Sequence, residues 1–355
     1  MLLVIFGAGA SYDSNPRNPG PVPSQQQSSW RPPLANQLFE DRTEFAPSLN
    51  QFRQFHALVH HLQKPRVEIE RELEQYQAEA DAGRMKERYP QLMAVRWYLQ
   101  RMLSECDHHW YRQCQDGITS YLTLLGEIMR CCGGADILLA TFNYDRLIDW
   151  AIEDYTRESL GTPHSLGDID RYTEGSFPLV KLHGSVNWGQ IIEEHDPPFK
   201  RDNPHEIREL IKHAQTLRMT DRYRVCEQNR VATIARVDDD GHMLVPGLAI
   251  PVVTKTDFAC PPAHLQFLEN SLPRVTRILV IGWAGRDTHF IDRLKRRLPA
   301  GVFWQIVSGN FELATATIGE LQPHFPGSHE FRAYPGRFSD FVTDRSTRDI
   351  FEPED

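Results

Sequence analysis

Four short apolar runs constrain the fold most: LLVIF at 2–6, ILLAT at 137–141, RILVI at 277–281 and VFWQIV at 302–307. Each is almost continuously apolar rather than apolar at alternate positions, as a strand covered on both faces requires. Weaker runs at 179–182 (LVKL) and 248–253 (LAIPVV) extend the set. Helical patterns follow most of them, for example at 145–153 and 287–298. Strand and helix in alternation predict an α/β fold whose sheet is mostly parallel and flanked by helices.

Two segments interrupt this alternation. Residues 12–36 (YDSNPRNPGPVPSQQQSSWRPPLAN) are rich in Pro, Ser, Gln and Asn and cannot form a core element. So long a loop directly after a glycine turn is read as a mobile lid. Residues 45–130 contain VEIERELEQYQAEADAGRMKERY and ITSYLTLLGEIMRCC, with helical periodicity and strong helix formers. They predict a helical insertion between the first and second sheet strands, either a surface for self-association or a plain cover for the sheet. A second insertion, 186–245, is polar, Arg-rich and poorly patterned, and is expected to be irregular. The whole chain, 1–355, is read as one domain carrying these two insertions.

A net charge of -9 gives no global attraction to nucleic acid or to an anionic membrane. The basic stretch RLKRRL at 293–298 is read as the solvated face of a helix. No apolar run approaches the roughly 20 residues that span a bilayer. The run from Leu2 to Phe6 is too short for the apolar core of a signal peptide, so a cytoplasmic protein is expected. The six cysteines are scattered with no CxxC pair, so no metal site is expected.

Several strand ends carry residues that packing does not need. VIFGAGAS (4–11) places Gly7 and Gly9 after the first run, where they serve either a structural turn or a backbone cradle for phosphate. It falls short of the full G-x-G-x-x-G pattern. ATFNYD (140–145) sets Asn143 and Asp145 at the mouth of the second run, as helix cap and turn residue or as ligands. KLHGSVNW (181–188) puts His183 after a short strand, a satisfied turn residue or a proton acceptor. ILVIGWAGRD (278–287) and VFWQIVSGN (302–310) repeat strand, glycine and polar residue, with Asp287 a candidate helix cap. Ligands of open α/β sheets sit outside the carboxyl ends of the strands, and helix caps alone call for neither His183 nor the doubled glycines.

GAGAS, TFNYD, LHGS, IGWAGRD and SGN, in this order, resemble the motifs of the sirtuin superfamily, and especially of the bacterial sirtuin-like NAD+ hydrolases of antiviral defence. The resemblance covers about 1–45 and 135–340. It implies a Rossmann-like fold that takes NAD+ as substrate. It implies further that Gly7, Ala8, Gly9 and Ser11 hold the pyrophosphate, and that Gly282, Ser308 and Asn310 lie near the adenosine half. Thr141 and Asp287, within the matching motifs, join this binding set. Asn143 and Asp145 would reach the nicotinamide ribose and carboxamide, and His183 would be the catalytic histidine. Where sirtuin deacetylases carry a four-cysteine zinc module after the HG motif, this chain has only Cys226 and Cys260.

The nicotinamide–ribose bond already has a cationic leaving group, so its departure needs no general acid. The protein must stabilise an oxocarbenium-like ribose and hold a water or hydroxyl at the open face. An NAD+ glycohydrolase releasing nicotinamide and ADP-ribose is therefore expected. The alternatives are an NAD-dependent protein deacylase or ADP-ribosyltransferase, and a non-catalytic nucleotide-sensing subunit. The resemblance also implies control by homo-oligomerisation and by a separate defence partner, such as a ring-forming ATPase of the HerA type.

Overall fold

The computed structural model describes residues 1–19, 30–64, 67–114, 117–132, 136–193, 206–226, 241–251, 258–346 and 350. The apolar runs at 2–6, 137–141, 179–182, 277–281 and 302–307 form β1 (Leu2–Phe6), β2 (Ile137–Thr141), β3 (Leu179–Lys181), β7 (Arg277–Ile281) and β8 (Phe303–Val307), which make one parallel sheet with β9 (Glu330–Ala333). Their order is β3-β2-β1-β7-β8-β9, and every pairing is parallel. From the central β1 the chain builds outward to one side through β2 and β3, and later to the other through β7, β8 and β9. The topological switch point thus falls between β1 and β7.

Side chains of β1 alternate between two cores, as the period of a strand dictates. Leu2, Val4 and Phe6 enter one core, against the helices α6 (Ser120–Cys132), α7 (Leu147–Glu158) and α12 (Phe338–Thr343). Leu3 and Ile5 enter the other, against α9 (Pro262–Ser271), α10 (Thr288–Arg297) and α11 (Phe311–Leu321). Both faces of the sheet are therefore covered, and the fold is a Rossmann-like α/β sandwich of three layers.

Between β1 and β2 lie the short α1 (Ala8–Tyr12), then α2 (Ala46–Gln51), α3 (His56–Leu62), α4 (Ile69–Asp81) and α5 (Arg88–Gln113), followed by α6. The second insertion contributes β4 (Gly184–Ile192), α8 (Glu206–Lys212), β5 (Met219–Val225) and β6 (Leu244–Leu248). These strands pair antiparallel in the order β5-β4-β6. The two insertions, distant in sequence, share a third core. Leu73, Trp97, Tyr98 and Leu99 of the helices pack with Val186, Ile191, Leu210, Val245 and Leu248. Neither insertion could bury its apolar face alone, so together they make a second lobe. Helix α5 is 26 residues long, about 39 Å at 1.5 Å per residue, and its Trp110 end reaches the core of the main sheet.

Two departures from the sequence pattern have physical causes. The run at 248–253 does not join the parallel sheet, because its first residue, Leu248, ends β6 and pairs with Gly184 of β4; residues 252–253 lie outside the described residues. The sixth parallel strand is β9, whose residues are alternately exposed and half-buried as at a sheet edge, so no continuous apolar run marks it. Of the expected lid, 20–29 lie outside the described residues. Its flanks are turns and loops anchored in part in the interior: Asp13, Ser14, Asn15 and Arg31 are buried, whereas Arg17, Asn18 and Asn36 are exposed. The Arg31 guanidinium donates to the carbonyls of Tyr12 and Asn18 and lies 4.6 Å from the Trp110 ring centroid. No helix among the described residues is long and apolar enough to cross a membrane.

Candidate active site

Parallel strands end on one edge, so the polar residues after β3, β2, β1, β7 and β8 fall there in a row: His183, Asn143 with Asp145, Gly7, Gly282 with Asp287, and Ser308. At its centre the turns after β1 and β7 touch. The Gly7 amide donates to the Ile281 carbonyl at 2.9 Å and the Gly9 amide to the Gly282 carbonyl at 3.1 Å. A Cβ on Gly7 would lie 2.5 Å from the Gly282 oxygen, and one on Gly282 would lie 2.3 Å from the Ala10 nitrogen. Gly282 also has φ +64°, the left-handed region. These glycines thus answer a steric demand of the fold itself, and the amides of Gly7 and Gly9 are spent on that contact. Ala8, half-buried between them, opens α1.

Asn143 and Asp145 face inward. The Ser11 hydroxyl donates to Asp145 Oδ2 at 2.5 Å, and a hydroxyl has a single proton. The 2.8 Å contact between Ser11 and Tyr121 is therefore donated by the tyrosine. Asn143 Nδ2 donates to the Gly7 carbonyl and Ser11 Oγ, both at 2.9 Å, and lies 3.2 Å from the Tyr121 oxygen. All these contacts of Asn143 run through Nδ2. Its backbone amide donates to Thr141 Oγ1 at 3.0 Å, which fixes the turn leaving β2. Asp145 Oδ1 accepts the Leu147 amide at 3.2 Å, an Asx turn leading into α7, whose N-cap is the next residue, Arg146. Burial pushes the Asp145 carboxyl above its ordinary range, against the opposing pull of Lys181 and the Ser11 hydrogen bond.

Beneath this turn Lys181 and Asp149 form an ion pair of 2.8 Å with neither side chain exposed. Lys181 Nζ also donates to the Asp145 carbonyl at 2.5 Å, and Tyr172 donates to the other Asp149 oxygen at 2.6 Å. Such saturation is what a buried charge requires.

His183 stands apart from this network. Its Nε2 lies 3.4 Å from Asp287 Oδ2, long for an N–H···O bond, with about a tenth of each side chain exposed. Asp287 Oδ1 meanwhile caps α10 by accepting the Phe290 amide at 2.9 Å. The ring of His183 meets Phe142 edge-on at 4.9 Å, and Phe142 stacks on Trp283 at 5.1 Å. An aromatic wall therefore backs the histidine, and the cap of α10 supplies its charge partner. Ser308 is half-buried, and exposed Asn310 is the N-cap of α11, accepting the Leu313 amide at 2.8 Å.

The edge thus unites two groups, an inward one of Ser11, Asn143 and Asp145 and an accessible one of His183 and Asp287. Tyr121, Lys181, Asp149, Phe142 and Trp283 were not anticipated. A lysine inside the apolar run LVKL was a readable signal, because a charge in a doubly covered strand demands a partner. Asp149, one helical turn after Asp145, was a readable candidate for that partner. Nothing local marks Tyr121, which arrives from the helical insertion.

Among solved structures the chain is similar to a triple mutant of a Sir2 homologue in complex with 2'-O-acetyl ADP ribose, with a TM-score of 0.42 and 14% identity, covering 99% of this chain and 94% of that one. No protein-family model matches the chain, and no curated protein does.

Proposed function

We propose that the protein is an NAD+ glycohydrolase that binds the dinucleotide along the carboxyl edge of the sheet. The observation that carries this is the His183–Asp287 pair, 3.4 Å apart and partly accessible, beside the turn of Asn143 and Asp145. The ordered motif set that resembles the sirtuin-like NAD+ hydrolases supports it. In the reaction a water oxygen bonds to the anomeric carbon of the nicotinamide ribose. The C–N bond breaks, and its electron pair neutralises the pyridinium ring of the departing nicotinamide. His183 takes the proton from the water, and Asp287 stabilises the imidazolium that results. Asn143, with Nδ2 engaged, offers Oδ1 to a ribose hydroxyl or to the water. Asp145 orients the nicotinamide end by fixing that turn. The motif resemblance puts the pyrophosphate at the turn of Gly7, Ala8, Gly9 and Ser11, where the Gly7 and Gly9 amides and the Ser11 hydroxyl shape the turn through their own partners rather than donate to phosphate, and it puts the adenosine half near Gly282, Ser308 and Asn310.

A role in depleting NAD+ during antiviral defence, self-association and control by a HerA-type ATPase belong to the same proposal. They rest on the motif resemblance. Incubation of the purified protein with NAD+, alone and with the product of a neighbouring gene, tests the activity through free nicotinamide and ADP-ribose. Release that requires an acylated or acceptor protein would favour the deacylase or transferase reading. Intact NAD+ bound for hours with the partner present would favour a nucleotide-sensing subunit.

A further inference from the structure

Helix α5 carries one carboxyl group from the second lobe to the mouth of β2. Asp107 is buried, and its Oδ2 accepts the backbone amide of Arg146 at 2.9 Å, one residue beyond Asp145. Its Oδ1 is also buried and meets no hydrogen-bond partner among the described residues. A half-satisfied carboxyl in a dry site is costly, and an apolar side chain would fill the space more cheaply. Its neighbours on the helix, Leu103, Cys106 and Trp110, are buried hydrophobes. What distinguishes Asp107 from them is the acceptor it offers to the turn. Burial and the nearby Asp145 push its carboxyl well above the usual range, consistent with a neutral group held for its oxygen.

The second lobe reaches the same turn from β4. The Val186 amide donates to the Tyr144 carbonyl at 2.9 Å, and Gln100 of α5 donates to the Val186 carbonyl at 3.0 Å. Helix α5 and β4, tied to each other, therefore hold residues 144 and 146, on either side of Asp145. The sheet lobe holds Asp145 itself through Ser11 and Lys181.

We propose that Asp107 is a positioning residue that fixes the Asn143–Arg146 turn, so that the second lobe sets the geometry of the candidate cleft through α5. The consequence for turnover rests on the NAD+ glycohydrolase reading; the hold on the turn does not.

The test compares wild type, Asp107→Ala and Asp107→Asn by amide hydrogen exchange and by steady-state nicotinamide release. Loss of the acceptor in Asp107→Ala is expected to speed exchange at Arg146 and Leu147 by roughly tenfold or more relative to β1. It should lower kcat by about tenfold or more while KM for NAD+ stays within about threefold. Asp107→Asn keeps an oxygen facing the amide and should recover both to within about threefold of wild type. Asp107→Leu, of similar volume but without an acceptor, replaces the alanine variant if that fails to fold and should behave as it does. Wild-type exchange at Arg146 in the alanine or leucine protein overturns the proposal, as does an asparagine protein that protects the turn no better. If the wild type releases no nicotinamide in any condition, the glycohydrolase reading fails while the exchange arm still decides the hold. Accelerated exchange with wild-type kcat overturns the link to the cleft.

Discussion

Lys181 Nζ lies 2.8 Å from Asp149 Oδ2, with both side chains fully buried directly beneath the turn that carries Asn143 and Asp145. A buried pair of this kind adds little against an apolar pair of equal volume, but loss of one partner strands the other charge. Lys181→Met should therefore cost about 3–5 kcal/mol in urea unfolding. The double variant Lys181→Met with Asp149→Leu should recover a large part of that loss. A single variant within about 1 kcal/mol of wild type would show that Asp149 finds another counter-charge.

Asp107 gives a pH signature with a defined sign. Its folded-state pKa is raised, so the native protein keeps a proton that the unfolded chain releases above its ordinary value of about 3.9. The stability linked to that proton is fully present below the unfolded value and is lost as pH rises. Asp107→Asn has no proton to lose. Its stability relative to wild type should therefore grow between about pH 4 and the folded pKa, by up to about 1.4 kcal/mol per pH unit. Urea titrations at mildly acidic and neutral pH measure this. A gap that does not change with pH would mean that the carboxyl ionises normally in the fold.

Gly282 and Gly83 separate two reasons for glycine. Both have positive φ, +64° and +66°, but a Cβ on Gly83 would meet nothing within 4 Å, whereas one on Gly282 would lie 2.3 Å from the Ala10 nitrogen. Gly83→Ala should cost about 1 kcal/mol from backbone strain alone, and Gly282→Ala about 3 kcal/mol or more. Thermal unfolding of the two variants checks this. Equal losses would mean that the two glycine turns can part without cost, freeing the amides of Gly7 and Gly9.

The sheet was legible because strands buried on both faces must be continuously apolar, and β1, β2, β7 and β8 obey that rule. β9 escaped because an edge strand need not. The antiparallel β4, β5 and β6 escaped because their apolar partners, such as Trp97 and Leu99, sit in the other insertion, and no local pattern records a shared core. The edge residues were legible as types, but their orientation was not. Gly7 and Gly282 look alike as phosphate turns or as packing glycines until the contact between them is seen. Asn143 and His183 both follow strands, yet one turns inward to Ser11 and the other toward Asp287. That difference depends on Tyr121 and on the capping geometry of α10, both remote in sequence.

His183 and Asp287 allow the chemistry to be tested apart from the fold. His183→Ala removes a ring that packs on Phe142, faces Tyr144 and lies beside Asp287, and should lower nicotinamide release by about a hundredfold or more. Asp287→Asn is more informative, because asparagine caps a helix as well as aspartate does. It should therefore leave the melting temperature within a few degrees of wild type while lowering kcat by roughly tenfold, through loss of the charge that stabilises the imidazolium. Asn143→Ala cannot be interpreted so simply. It breaks contacts with Gly7, Ser11 and Tyr121, and should cost about 1–3 kcal/mol of stability before any effect on the reaction is counted. An Asp287→Asn protein of wild-type stability and wild-type kcat would remove the carboxylate from the mechanism and leave it a helix cap.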